Sequence, residues 1–194
     1  SYPIWGTPGS INGANLMGVF PTRYWHKGML KDFEKINAET IRSKLVIKDK
    51  ACYSCPVNCA KIVKIGEGPY AGAVIEGPDY ETLYSLGGLP EINDVEAIVA
   101  AQELCDKLGM DAMTAGNVVA FAMDCYDKHI ITSKDTGGVE LTFGNQEALV
   151  QMIEKIGKRI GFGDVLAEGV RGAAERIGNG AKYLAVHVKG LDPA

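Results

Sequence analysis

The sequence has no long apolar run, and no stretch approaches the ~20 consecutive apolar residues that a helix needs to cross a bilayer. Its first ten residues, SYPIWGTPGS, lack the basic and apolar regions of a secretory signal peptide. They also lack an initiator Met, so we expect a fragment or a processed product. These absences predict a cytoplasmic location with no membrane partner.

Neither sign of charge dominates, because 20 Lys and Arg residues stand against 24 Asp and Glu residues, for a net charge of −4. Such a balance offers no electrostatic footprint for nucleic acid or for an anionic membrane surface. A local basic patch could still receive an acidic one-electron carrier. We therefore expect no nucleic-acid partner and leave electron-transfer partners open.

The composition is that of a globular protein, with 46% hydrophobic and 23% charged residues and no internal repeat. Helical patterns dominate from residue 79 onward, and short alternating stretches between residues 61 and 78 predict two strands. The sequence predicts a mainly α, multi-helical fold, in which two packed helical subdomains carry a few short strands. A polar, turn-rich stretch at residues 131–144 suggests a boundary between residues 1–131 and residues 132–194, the second part being incomplete.

Capping residues locate the helix ends. Predicted N-caps are Asn37, Asp79, Asn93 and Asn145, and predicted C-terminal stops are Gly109, Gly161 and Gly178. A single helix is expected from Asp164 to Gly178, and the alternating stretch KYLAVHVKG near the end is expected to be a strand.

Three of the five cysteines fall in one short stretch, ACYSCPVNC, as Cys52, Cys55 and Cys59. Too few and too clustered for a disulfide framework, they suggest reduced thiols that hold a metal. Thiolates select zinc, copper(I) or iron–sulfur clusters, and three close cysteines plus a remote fourth are typical of a [4Fe–4S] site. Zinc and a buried apolar stripe remain alternatives, although Pro56 argues against the helix that such a stripe requires.

The remaining cysteines, Cys105 and Cys125, lie within predicted helices. Each is a formal candidate for the fourth ligand. Cysteine is nevertheless among the residues most often buried in protein cores, so we expect both to be core residues.

Several other polar residues stand in positions that invite a function. Glu76 follows an apolar run and precedes a Gly-Pro turn, and Asp106 and Asp111 bracket a predicted turn at a helix end that disfavours negative charge. In a strand, His187 and Lys189 would point to one side and could meet an anionic or carbonyl ligand. Taken singly, Glu76 and the aspartates are more often ordinary solvated acids than functional ones.

Taken together, these motifs resemble the aldehyde:ferredoxin oxidoreductase family of tungsten (or molybdenum) pterin enzymes. The resemblance extends over nearly the whole chain and is carried by YPIWGTPGSINGANLMGVFPT, ACYSCPVNC, EGPDYET, INDVEAIVAAQELCDKLGMD, GFGDVLAEGVRGAAERIG and HVKGLD. It implies oxidation of small aldehydes to carboxylic acids, with electrons passing through a [4Fe–4S] cluster to ferredoxin. A homodimer is compatible with it.

The resemblance also implies roles for single residues. Cys52, Cys55 and Cys59 match three cluster ligands, and the family's fourth cysteine lies in a D-x-x-G-L-C motif that this chain does not contain. Glu76 and His187 match polar residues near the metal.

The pterin contacts implied by the resemblance lie further along the chain. Asp106, Gly109, Met110 and Asp111 match the first pterin-binding motif, and Lys189 matches a further pterin contact. Met110 replaces the family's Leu, a change that conserves volume. Ala112 replaces its Thr, which removes one hydroxyl unless Thr114 supplies it.

The family's β-rich first domain has no counterpart in the sequence, nor does its second pterin motif. We therefore expect a central part of such an enzyme, truncated at both ends, inactive alone, and with the cofactor absent or loosely held. The alternative is a helical structural or binding module with a zinc site or free cysteines. Metal analysis would separate the two.

Overall fold

The computed structural model describes residues 1–193 and contains, within them, nine α-helices and a three-stranded sheet. The helices are α1 (Tyr2–Trp5), α2 (Ile11–Leu16), α3 (Ala38–Lys44), α4 (Tyr80–Thr82), α5 (Val95–Leu108), α6 (Ala112–Asp127), α7 (Gln146–Gly157), α8 (Phe162–Leu166) and α9 (Gly169–Ile177). Short 3₁₀ turns occur at Thr7–Ser10, Phe33–Lys35 and Ala181–Tyr183, and a π-helical turn at Leu83–Gly88. The mainly α prediction is confirmed.

The sheet is antiparallel, in the order β1 (Val46–Lys50), β2 (Ala60–Lys64) and β3 (Val74–Glu76). Two of its strands lie where alternation predicted them, whereas β1 was not predicted. Its sequence, VIKDK, is too polar and too short for a clear alternating pattern. The register places Lys61 opposite Asp49 on the face that packs inward, and Ala60 opposite Lys50 on the outer face.

The long helices α5 and α6 form the centre of the fold. Helix α6 is buried along most of its length, and its Phe121, Met123 and Cys125 are fully inaccessible. Helix α5 ends at Gly109, whose φ of 67° lies in the left-handed region, as predicted for that stop. The chain then turns at once into α6, so that Asp111 becomes the N-cap of α6.

Local capping rules locate some helix ends correctly and others not. Asn37 and Asn145 cap α3 and α7 as predicted, each accepting a hydrogen bond from the backbone N–H three residues on. The prediction for α5 is wrong by one residue, because Asp94 rather than Asn93 accepts from the N–H groups of Glu96 and Ala97. Asp79 stands at the N-cap of α4, but its carboxylate accepts from the Thr7 hydroxyl instead.

The chain after α7 departs from prediction in two places. Helix α7 ends at Gly157, four residues before the predicted stop, and Gly161 instead precedes α8. The single helix expected from Asp164 to Gly178 is broken into α8 and α9, with Gly169 at a φ of 72°. A break lets α8 pack closely on α7, since a Cβ on Gly163 would stand 2.3 Å from the Lys155 carbonyl.

The predicted C-terminal strand is wrong. Residues 181–183 form a 3₁₀ turn, and a single bridge between Val188 and Leu191 closes a tight loop around Lys189, whose φ is 55°. The segment is held by contacts with distant residues. The Val186 N–H donates to the Tyr24 hydroxyl at 2.9 Å, and the Asn117 side-chain amide donates to the Pro193 carbonyl at 3.2 Å.

The buried apolar residues form one continuous cluster that includes residues from α2 to α9. It contains side chains from both sides of residues 131–144, such as Ile98 and Leu149. The division into two helical subdomains at that stretch stays a prediction. No helix among residues 1–193 combines the length and the apolar character needed to traverse a bilayer.

A glycine in the middle of α6 makes close packing with the π-helical turn possible. A Cβ on Gly116 would lie 2.3 Å from the Ser85 carbonyl oxygen, a contact that the backbone must move to relieve. We expect Gly116→Ala to destabilise the fold by about 2 kcal/mol, because overpacking outweighs the better helix propensity of Ala. Thermal unfolding should show a Tm lowered by roughly 4–8 °C.

Gly13→Ala is the matched control for this prediction. Gly13 also lies inside a helix, and a Cβ there would meet nothing within 4 Å. We expect it to leave stability unchanged or raise it by up to about 1 kcal/mol. A Gly116→Ala protein as stable as the Gly13→Ala protein would contradict the packing argument.

Candidate functional site

The cysteine stretch forms the connection between β1 and β2. Cys52 is exposed, Cys55 and Cys59 are half-buried, and none of the three thiols is in a disulfide. Ser54 and Asn58 hold left-handed backbone conformations, with φ of 56° and 52°. The stretch is therefore an irregular loop, and the alternative of three cysteines on one helix face is wrong.

The loop presents its thiols without gathering them around one point. Among residues 1–193, no three His, Cys, Asp or Glu side chains are arranged to hold a single metal ion. A cubane cluster makes a different demand from a single ion, since each thiolate binds a different iron atom. A short loop with thiols at Cys52, Cys55 and Cys59 has the soft donor set for such a cluster.

The two other cysteines lie in the core, as predicted. Cys105 and Cys125 are fully buried within α5 and α6. Burial raises the pKa of each thiol to about 12, with Asp106 adding to the shift of Cys105 and Asp124 to that of Cys125. Both thiols therefore stay protonated near neutral pH, which is the wrong form for a metal ligand.

The outer face of the sheet carries Glu76 beside the cysteine loop. The Glu76 carboxylate forms an ion pair with the Lys50 ammonium group, and its carbonyl accepts from the Gln102 side-chain amide at 3.2 Å. The hydrogen bond to Glu76 raises the pKa of Lys50, and the nearby Cys52 adds a smaller contribution. Lys50, the last residue of β1, therefore pairs with Glu76 directly before the cysteine loop begins.

The turn between α5 and α6 separates the two aspartates of the proposed pterin motif. The Asp111 carboxylate accepts from the Thr114 N–H at 2.7 Å, and the Asp106 carbonyl accepts from the Gly109 N–H at 3.3 Å. Partial desolvation by the surrounding protein raises the pKa of the Asp106 carboxyl, and the nearby Glu103 adds to the shift. The sequence prediction that both carboxylates bracket a tight turn is confirmed.

A cavity of about 210 Å³ opens beside this turn. Met110, Asp111 and Thr114 line one side of it, and Leu166 and Gly169 from α8 and the start of α9 line the other. Thr114 therefore places a hydroxyl-bearing side chain at the same cavity as Asp111.

The C-terminal loop approaches the same region from another side. His187 and Lys189 are exposed, and His187 Nδ1 accepts a hydrogen bond from the Gly190 N–H at 3.2 Å. Burial raises the pKa of the Asp192 carboxyl, while His187 opposes that shift and Asp111 adds to it. His187 and Asp111 are thus both near enough to the Asp192 carboxyl to act on it.

Tyr84 is a polar residue of this region that sequence patterns did not indicate. It lies on the π-helical turn, is almost fully buried, and packs between Tyr80 and Trp25. Within the described residues its hydroxyl has no hydrogen-bond partner. Burial raises the pKa of Tyr84 to about 12, with further contributions from Glu81, Tyr80 and Asp111.

The structure therefore arranges the predicted site residues in two groups. Glu76 and the three cysteines belong to the sheet, whereas Asp106, Gly109, Met110, Asp111, His187 and Lys189 belong to the α5–α6 turn and the C-terminal loop. The hydrogen bonds of Glu76 go to Lys50 and Gln102, and that of His187 goes to Gly190. No direct bond joins the two groups within residues 1–193.

Comparison with known proteins defines the class. The family model described as aldehyde ferredoxin oxidoreductase, domains 2 and 3, matches residues 1–194. The chain belongs to this family.

Relatives at 36–38% identity include the tungsten-containing aldehyde ferredoxin oxidoreductases of Pyrococcus abyssi, 38% identical over 94% of this chain, and of Pyrococcus furiosus, 36% identical over 98%. A WOR-like subunit of an aliphatic sulfonate oxidoreductase from Pyrococcus furiosus is 36% identical over 96% of this chain. The chain spans about 30% of the length of the curated relatives that it matches.

A solved structure has the same fold. The active-site complex BamBC of benzoyl coenzyme A reductase, solved with 1,5-dienoyl-CoA, superposes with a TM-score of 0.70. The match covers 93% of this chain and 27% of that one, at 23% sequence identity. At that identity the likeness shows the shared fold alone.

Proposed function

We propose that this chain is the central part of a tungsten- or molybdenum-pterin aldehyde:ferredoxin oxidoreductase. The parent enzyme oxidises a small aldehyde to a carboxylic acid and passes the electrons through a [4Fe–4S] cluster to ferredoxin. The observation that carries the proposal is the irregular loop between β1 and β2, which presents three thiols outside any disulfide and follows directly on the Lys50 that pairs with Glu76. Family membership over the whole chain supports the same assignment.

The cysteine loop supplies three of the cluster ligands in this proposal. Cys52, Cys55 and Cys59 donate soft thiolates from an irregular loop, and the cluster that they hold supplies one-electron transfer. The conformation of the loop does not depend on the cluster alone, since the Cys55 N–H donates to the Cys52 carbonyl at 3.1 Å. This hydrogen bond keeps the backbone of Cys52 close to that of Cys55.

The pterin would be bound at the turn between α5 and α6. Carboxylates of Asp106 and Asp111 accept hydrogen bonds, which suits the N–H groups of a pterin ring. Gly109 adds no side chain at the turn, and Met110 lines the cavity beside it. Lys189 provides a cation on an exposed loop. Bound in this region, the metal–pterin centre supplies the two-electron oxidation of the aldehyde.

Glu76 and His187 would handle the protons of the reaction. The Glu76 carboxylate, which forms an ion pair with the Lys50 ammonium group, would accept a proton from the attacking water. Because His187 Nδ1 accepts from the Gly190 N–H, the neutral imidazole carries its proton on Nε2. That Nε2–H is free to donate a hydrogen bond to an oxygen of the substrate.

The remaining parts of the proposal concern the substrate, the electron acceptor, the location and the oligomeric state of the enzyme. Ferredoxin is the electron acceptor and a small aldehyde the substrate, with the enzyme located in the cytoplasm and a homodimer compatible with it. Support comes from the names of the relatives, four of which are tungsten-containing aldehyde ferredoxin oxidoreductases. The metal of the pterin centre is tungsten or molybdenum.

The proposal is tested on the complete gene product, purified without oxygen. We expect iron, acid-labile sulfide, pterin and either tungsten or molybdenum, broad visible absorption that bleaches with aldehyde, and ferredoxin reduction that depends on aldehyde. Alkane sulfonates, tried in parallel, distinguish the activity of the WOR-like relative. A colourless protein that holds one zinc per chain and reduces no ferredoxin would overturn the proposal and favour the structural module.

A further inference from the structure

Lys61 is a buried cation directly behind the cysteine loop. Its side chain is 6% exposed, although lysine is almost never fully buried unless it is paired. The Nζ atom lies 3.1–3.3 Å from the backbone carbonyl oxygens of Pro3, Asn58, Cys59 and Ala60. Three donors are shared among these oxygens, so the ammonium group is saturated by the backbone that surrounds it.

Three of those carbonyls belong to the last two residues of the cysteine loop and the first residue of β2. They include the carbonyl of Cys59 itself, and the fourth, from Pro3, belongs to α1. The same Cys59 carbonyl is in close contact with Gly6, where a Cβ would lie 2.8 Å from it. Lys61 therefore ties the backbone of one proposed cluster ligand to the first helix.

The charge of Lys61 is only partly balanced. Asp49 lies 3.3 Å from Nζ, but its two carboxylate oxygens are also engaged by Arg42 at 2.6 and 3.2 Å. Two cations thus share one anion, and the group carries a net charge of +1 next to the loop. Burying an ammonium group is costly unless it is paired and hydrogen-bonded, so a lysine here needs a compensating interaction.

We propose that Lys61 is a positioning residue that holds the Cys59 end of the loop in place and raises the reduction potential of the cluster. The inference rests on the proposed function. Reduction of the cluster adds one electron and breaks no bond. The electron is supplied by oxidation of the aldehyde and is then transferred to ferredoxin. A nearby buried positive charge stabilises the more negative, reduced form, and its effect is strong because little water screens it.

The test is a redox titration of the complete gene product, followed by the electron paramagnetic resonance signal of the reduced cluster. We expect Lys61→Met to lower the reduced-to-oxidised ratio at a fixed potential about tenfold, which is a negative shift of about 59 mV for one electron. Lys61→Arg, which keeps the charge, should have a reduction potential close to that of the wild-type protein. Lys64→Met, which removes an exposed lysine from the same strand, should leave the potential unchanged.

Asp49→Asn provides the decisive second variant, because it removes the anion and keeps Lys61. We expect it to raise the potential, opposite in sign to Lys61→Met, and a purely structural role of Lys61 would not give opposite shifts. If Lys61→Met loses its iron, Lys61→Gln takes its place, since it removes the charge and keeps a hydrogen-bonding side chain: a lowered potential supports the inference and an unchanged one overturns it. A wild-type protein without a cluster would instead overturn the proposed function, whereas a wild-type cluster with unshifted variants overturns only the role of Lys61.

Discussion

Replacement of Cys55 by Ser is expected to remove most of the iron and to reduce aldehyde-dependent ferredoxin reduction about 100-fold or more. Loss of a residue that merely supports a metal ligand already costs roughly 10–100-fold in affinity or activity, and loss of the ligand itself should cost more. Serine has nearly the shape of cysteine but offers a protonated, hard oxygen where the cluster requires a soft thiolate. Iron analysis and visible absorption of the complete gene product measure the result.

Cys125→Ala is the matched control for this experiment. It also removes one thiol, but the Cys125 thiol is buried in α6 and protonated, since burial raises its pKa to about 12. We expect some loss of stability and an unchanged iron content. If Cys55→Ser kept its full complement of iron, Cys55 would not be a ligand, and the proposed cluster would have to be placed elsewhere.

Features that depend on neighbouring residues alone were predictable from the sequence. The caps Asn37 and Asn145 and the stop at Gly109 each require only one side chain or one backbone conformation within a few residues. The turn with Asp106 and Asp111 was predictable for the same reason, because the turn joins consecutive helices. Local rules could not choose between Asn93 and Asp94, since both side chains are good caps, and in the structure Asp94 accepts from the N–H groups of the first turn.

Features that depend on distant residues were not predictable. The stretch KYLAVHVKG alternates like a strand, but no strand lies beside it, and Tyr24 and Asn117 hold it as a loop. The break before α9 follows from the close packing of Gly163 on α7. In both places tertiary contacts override a local pattern that is itself unambiguous.

The candidate site likewise contains residues that the sequence could predict and residues that it could not. Cysteine spacing indicated a cluster loop, because the spacing is itself the signal. Lys61 and Tyr84 gave no such signal, since a lysine in AKIVK is typical of an exposed strand position and a tyrosine in YETLYSLG is typical of a core. Only the folded structure shows that one is a buried cation beneath the loop and the other a buried hydroxyl with no partner among residues 1–193.

Glu76→Gln is expected to lower kcat about 100-fold or more, because glutamine has nearly the same shape but cannot accept a proton from water. General acid–base groups contribute roughly 10²–10⁴-fold to catalysed rates. The change leaves the backbone carbonyl of residue 76 in its bond with Gln102, so the strand should keep its position. Steady-state kinetics with aldehyde and ferredoxin measure the effect, and metal analysis shows whether both metal sites remain filled.

Two further variants separate proton transfer from structure. Glu67→Gln, at an exposed position between β2 and β3, removes a carboxylate of the same kind and should leave kcat unchanged. Lys50→Met should reduce kcat less than Glu76→Gln, because it removes the cation that holds the carboxylate and spares the carboxylate itself. A Glu76→Gln enzyme that lost iron or tungsten in proportion to its activity would contradict the proton-transfer role, since Glu76 would then act by supporting the loop beside it.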